Sequence, residues 1–95
     1  MRGRVLRIGS RYQRARARLV RPSTSGARGL AATIARLQSG ELPGPLDAET
    51  LVPPVARWWF RRVPGANLWV LFTFDASSVT LRSVTDHPPI PVDES

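Results

Sequence analysis

Leu68-Trp69-Val70-Leu71-Phe72-Thr73-Phe74 is the longest apolar run in the chain. It has the length of a strand and falls far short of the ~20 residues a membrane helix needs. Alternation turns Leu68, Val70, Phe72 and Phe74 to one face. Before the run, Pro64-Gly65 fits the two central positions of a type II turn, and Asn67 tolerates turn geometry. After it, Asp75-Ala76-Ser77-Ser78 reads as a second turn. Beyond the turns lie two more strand-like runs, Arg57 to Val63 and Val79 to Thr85. Together they form an antiparallel meander, and a sheet of that kind needs one face covered.

The cover comes from upstream. Val5 to Ile8 reads as a short opening strand, broken by Gly9. Ser10-Arg11-Tyr12-Gln13 then fits a capping box, with Ser10 as N-cap, and predicts a helix to about Val20. Tyr12, Ala15 and Leu19 share one face of it. Pro22 stops this helix, and the hydroxyls of Ser23, Thr24 and Ser25 offer a cap for the next. The second helix is expected from about Ala27 to Ser39, with Leu30, Ile34 and Leu37 as its apolar stripe. Gly40 is expected at the left-handed position after it. The two helices are expected to form an antiparallel hairpin packed on the meander, an α+β fold of one domain, residues 1–95. Glu41 to Val55 holds Pro43, Pro45, Pro53 and Pro54 and reads as a loop. Its three acids either fold over a basic face or simply accompany a connection. His87-Pro88-Pro89-Ile90-Pro91 cannot continue a central strand, because proline lacks the donor, so residues 86–95 read as an extended tail.

Charge gives the strongest functional clue. The 95 residues carry a formal net charge of +7, all fourteen basic residues are arginine, and there is no cysteine. Lack of cysteine excludes disulfides, zinc–thiolate sites and cysteine nucleophiles. The basic N-terminus has no apolar stretch or small-residue cleavage site after it, so a cytoplasmic protein with no membrane partner is expected. Residues 1–40 hold ten arginines and no acid, whereas residues 41–95 hold four arginines and seven acids. Such asymmetry points to an anionic partner at one face: RNA, DNA or an acidic protein. Arg11, Arg14, Arg18 and Arg21 form a ladder on the first helix. Like charges at this spacing each cost a few tenths of a kcal/mol. No acid relieves them, so the ladder suits phosphate contacts better than a merely solvated face.

Trp59-Phe60-Arg61-Arg62-Val63, then Leu68 to Phe74, then Val79-Thr80-Leu81-Arg82-Ser83-Val84 resemble the meander of the RelE/ParE toxin superfamily. The order of a strand, two helices, a proline-bearing loop and three strands in so short a chain is similar too. The resemblance spans nearly the whole chain and is carried by pattern more than by invariant motifs. It implies a toxin of a type II toxin–antitoxin pair, with a cognate antitoxin as partner. In the RNA-cleaving branch it implies a ribosome-dependent mRNA endoribonuclease that needs no cofactor and no metal. There the ribosome and mRNA are partners, and a 2′-hydroxyl attacks the neighbouring phosphate. In the ParE branch it implies an inhibitor of DNA gyrase without hydrolytic chemistry.

Residue by residue, the family's basic strand positions match Arg61 and Arg62, with Arg57 nearby. Guanidinium groups there are suited to stabilising charge on a phosphate; a solvated sheet face is the other reading of Arg57 and Arg61. Asp86-His87 resembles the Asp-Tyr-His ending of the HigB-type branch without the tyrosine. Imidazole works as acid or base near neutral pH, so His87 is the candidate for moving the proton. Arg57, Arg61, Arg62 and Arg82 are then the candidate phosphate cradle. Arg7, Arg11, Arg14 and Arg18 are the candidates for gripping RNA. Trp69 is a candidate stacking platform, or packing material at the sheet rim. Two departures stand out. Leu68 or Trp69 occupies a position where the family often has arginine. The family's C-terminal catalytic tyrosine has no counterpart, since Tyr12 lies on the first helix. Without these, gyrase inhibition or a non-catalytic nucleic-acid-binding module remains open beside RNA cleavage.

Overall fold

Five strands and two helices form over residues 3–92, the part of the chain that the computed structural model describes. In chain order they are β1 (Val5–Ile8), α1 (Ser10–Leu19), α2 (Ser25–Ser39), β2 (Ala48–Val52), β3 (Ala56–Arg62), β4 (Trp69–Phe74) and β5 (Ser78–Thr85). The sheet order is β1-β5-β4-β3-β2. β1 pairs with β5 in parallel, and every other pairing is antiparallel. The fold is therefore α+β, with a mixed five-stranded sheet.

The meander forms where alternation put it. The Val63–Ala66 turn closes with a bond from the Ala66 amide to the Val63 carbonyl at 3.3 Å, and Gly65 takes φ of 77°. That φ is what the third position of a type II turn requires, and glycine adopts it without steric cost. At the other end Asp75 organises the β4–β5 turn. Its Oδ1 accepts from the amides of Ser77 and Ser78 at 2.8 and 2.7 Å. Those bonds favour the ionised carboxyl and hold it below the ordinary aspartate value.

The core lies on one face of the sheet. Val70 and Phe72 of β4 and Val79, Leu81 and Val84 of β5 meet Tyr12 and Ala15 of α1 and Leu30 and Leu37 of α2. α1 packs along β5, starting where β1 stops. α2 has its start near Leu68 and Val63, and at its far end the Gln38 carbonyl accepts from the Arg4 amide at 2.7 Å.

Three local expectations are corrected. Glu41 to Val55 is more than a loop, because Ala48–Val52 forms edge strand β2 against β3. The prolines flank this run and leave its ladder amides intact. Ser10 does not cap α1: it is the first helical residue, Gly9 is the N-cap, and no side chain caps the helix. The Gly9 amide is held by the Leu81 carbonyl at 3.0 Å, so the chain turns from strand to helix one residue early. The cap of α2 is Thr24, whose Oγ1 accepts from the Ala27 amide at 3.2 Å. Gly40 is not left-handed; its φ is −90°. Glycine is suited to the site for another reason, since a Cβ there would lie 2.8 Å from the Arg36 carbonyl oxygen.

The tail is tied down rather than loose. Thr50 Oγ1 donates to the Ile90 carbonyl at 2.8 Å, and the Val92 amide donates to the Glu49 carbonyl at 2.8 Å. Residues 86–92 thus return across the sheet to the β2 edge, while the last three residues of the expected tail lie outside the described residues. No helix among the described residues is long and apolar enough to cross a membrane.

Candidate nucleic-acid interface

A groove of about 620 Å³ runs between α1 and the returning tail. Its α1 wall is Arg11, Arg14 and Arg18. These three recur at helical spacing, so they share one flank of α1 while Tyr12 and Ala15 turn into the core. The floor includes Leu71, Ser83 and Thr85. Register sets Leu71 beside Phe60 and Ser83, on the sheet face opposite Val70 and Phe72. The far wall is formed by Leu51, Val52 and Pro53 at the end of β2 and by His87 to Ile90 of the tail. Leu51 and Ile90 are 61% and 83% exposed, which makes that wall an apolar lip. One side of the groove is therefore cationic and the other apolar.

The cationic wall is positioned by ordinary contacts. The Arg11 guanidinium lies 5.3 Å from the ring centroid of Trp58, close enough for a cation–π attraction. No acid pairs with Arg11, Arg14 or Arg18 among the described residues. His87 comes to the groove because β5 ends at Thr85 and the chain turns: the His87 amide donates to Thr85 Oγ1 at 3.2 Å. The same turn brings His87 Nε2 within 3.3 Å of Asp86 Oδ1. Alternation along a continued strand would have kept the two side chains on opposite faces. The Asn67 side chain holds this end by donating to the Asp86 carbonyl at 3.1 Å.

The structure does not assemble the expected phosphate cradle around His87. Arg61 lies in a register row with Val70 and Val84, on the helix-covered face. Its Nε and Nη2 donate to Asp47 Oδ1 and Oδ2 at 2.6 and 2.8 Å, and the Asp47 side chain is fully buried. Arg82 donates from Nε to Thr73 Oγ1 at 3.0 Å, which draws it away from the Thr85 end. Arg57 is exposed beside Leu51 on β3. Arg62 stacks over Trp69 at 5.8 Å, and Trp69 is paired in register with Thr85 of the groove floor. Arg57, Arg61 and Arg62 share register rows with the groove residues Leu51, Val84 and Thr85, yet none of the four arginines lines the groove. Arg7 is exposed on β1, paired with Thr80, and does not line the groove.

Thr50 is the residue that sequence reasoning missed. It is buried, lines the groove, and anchors the tail segment that presents His87. Its signal was faint: a β-branched residue in a short run between two proline pairs. Tyr12, by contrast, is a core residue. Burial pushes its phenol up, opposed by the nearby Arg16, and no group among the described residues is placed to hydrogen-bond its hydroxyl. Comparison with family models, curated proteins and solved structures returned no match to this chain.

Proposed function

We propose that this chain is an RNA-acting protein of the RelE/ParE toxin kind, cytoplasmic and paired with an antitoxin, and that it engages RNA in the groove beside α1. The observation that carries the reading is the convergence of Arg11, Arg14, Arg18 and His87 on one groove. Three guanidinium groups in a row, with no acid paired to them among the described residues, suit successive phosphates, and each binds phosphate oxygens through a planar fork. The apolar lip suits the bases of the same strand. In cleavage, the 2′-hydroxyl oxygen attacks the adjacent phosphorus and the 5′-oxygen leaves. His87 moves the proton, and the α1 arginines stabilise the charge that develops on the phosphate. The α1 wall thereby takes the role first expected of Arg57, Arg61, Arg62 and Arg82.

Inducible expression of wild type and His87→Ala in bacteria, with growth followed and mRNA ends mapped, tests this directly. Growth arrest with new mRNA ends in wild type alone is the expected result. A second reading, a gyrase-inhibiting relative without hydrolytic chemistry, is favoured by one observation: Arg61 and Arg82 are engaged internally and are not free to cradle a phosphate. Arrest with loss of DNA supercoiling and no new mRNA ends would select it. No arrest from folded protein would leave a non-catalytic binding module.

A further inference from the structure

We infer that the outer edge of β1 is a docking strip for an acidic, extended segment of another protein, with one apolar side chain of that segment seated between β1, α1 and α2. This does not depend on what the α1 groove binds. Among the described residues β1 is the terminal strand of the sheet, paired on one side only. The Val5 and Gly9 amides point inward, donating to Ser77 and Leu81. Alternation therefore turns the backbone N–H and C=O groups of Leu6 and Ile8 outward. One position earlier, the outward groups of Arg4 are already engaged by Gln38: the Gln38 carbonyl accepts from its amide, and Gln38 Nε2 donates to its carbonyl at 3.2 Å. The open stretch is thus short and has a defined start. Extended segments add to such edges through main-chain bonds, with side chains providing specificity.

Beside this edge is a separate cavity of about 410 Å³, lined by Leu6, Ile8, Tyr12, Ala17, Ile34 and Leu81. A strand added outside β1 turns alternate side chains toward that face. Val5 and Ile8 are 62% and 49% exposed, so apolar surface continues along the strip. Arg16 stands at the cavity rim and Arg7 on the strand, and residues 1–40 contain no acid to neutralise them. That field selects an acidic partner. It disfavours a second copy of this chain, because pairing two β1 strands sets like charges against each other.

Selection of a displayed library of random short peptides on the folded protein tests the inference. Peptides in which Asp or Glu alternates with apolar residues are expected to enrich. Binding of the best one, made synthetically, should slow hydrogen exchange at the Leu6 and Ile8 amides. It should weaken about tenfold or more in Ile34→Glu, and likewise in the exposed-site variant Ile8→Lys should Ile34→Glu fail to fold. Failure to enrich binders, or enrichment of basic or neutral peptides, would overturn the inference. So would acidic peptides whose binding is lost in an Arg11, Arg14 and Arg18 alanine variant while the Leu6 and Ile8 amides stay unprotected.

Discussion

The arginines of α1 and those of the sheet carry the same guanidinium group and meet different fates. Arg61 and Arg82 are engaged by groups of their own chain, Asp47 and Thr73. Arg11, Arg14 and Arg18 stand along a groove with no acid in its lining among the described residues. In the sequence the sheet arginines looked the more chemical, because they sit on strands and two of them, Arg61 and Arg62, match positions of the family the chain resembles. What separates the groups is topology. β3 lies next to β2, which brings the Asp47 carboxylate into reach, whereas α1 follows a stretch of chain without acids. A guanidinium becomes available for a ligand only where the fold supplies it no partner.

The largest expected effect tests the engaged group. Asp47→Asn leaves Arg61 without its counter-charge in a largely buried position, 15% exposed. Removing one partner of a buried pair typically costs about 3–5 kcal/mol, and because Arg61 keeps some solvent access the lower end is expected. A urea denaturation midpoint checks it; a cost near zero would mean that the pair contributes nothing and that Arg61 is free after all. Replacing Arg61 as well, by methionine, should recover part of the loss.

The free group should behave in the opposite way. Changing Arg11, Arg14 and Arg18 together to alanine should leave stability unchanged or raise it by a few tenths of a kcal/mol per relieved like-charge pair. Its effect belongs to binding. For single-stranded RNA the dependence of log K on log salt should flatten by about 2, the release of roughly three counterion contacts. Arg82→Ala should leave that slope alone. Fluorescence anisotropy with a labelled oligonucleotide across a salt series separates the two; equal slopes for both variants would erase the contrast.

The smallest effect concerns an acid whose work is local. The folded-state pKa of Asp75 is depressed by the Ser77 and Ser78 bonds. Its contribution to stability is therefore present above the ordinary value of 3.8 and is lost as pH falls through the lower folded value. Asp75→Asn should lower the melting temperature at neutral pH, and the gap to wild type should close on acidification in that window. A gap that stays constant with pH would show that the carboxylate charge is irrelevant to the turn.

Much of the fold was legible because its signals are local. Alternation in Leu68 to Phe74, the Pro64-Gly65 turn and the stripe of Leu30 and Leu37 each depend on neighbours a few residues apart. β2 was not legible, since four prolines around Ala48–Val52 outweigh its weak alternation. The candidate site suffered from the same blind spot. The α1 ladder and His87 were each visible as separate features, but their convergence needs the tail to be held by Thr50, which is itself on β2. The Arg61–Asp47 pair was hidden likewise, because its acid lies in a segment that reads as connection.

The two edges of the sheet are treated unequally, and this sets a limit on assembly. The β2 edge is covered by the chain itself: Pro91 bridges Thr50, and a proline offers no amide to a further strand. Among the described residues the β1 edge has no such cover. A sheet with both edges open can template its own growth in either direction, which is how strand stacking runs on into fibres. Here one end is stopped, so a segment that joins at β1 completes the sheet and has nothing to pass on. The molecule can accept one guest there and still remain a discrete particle.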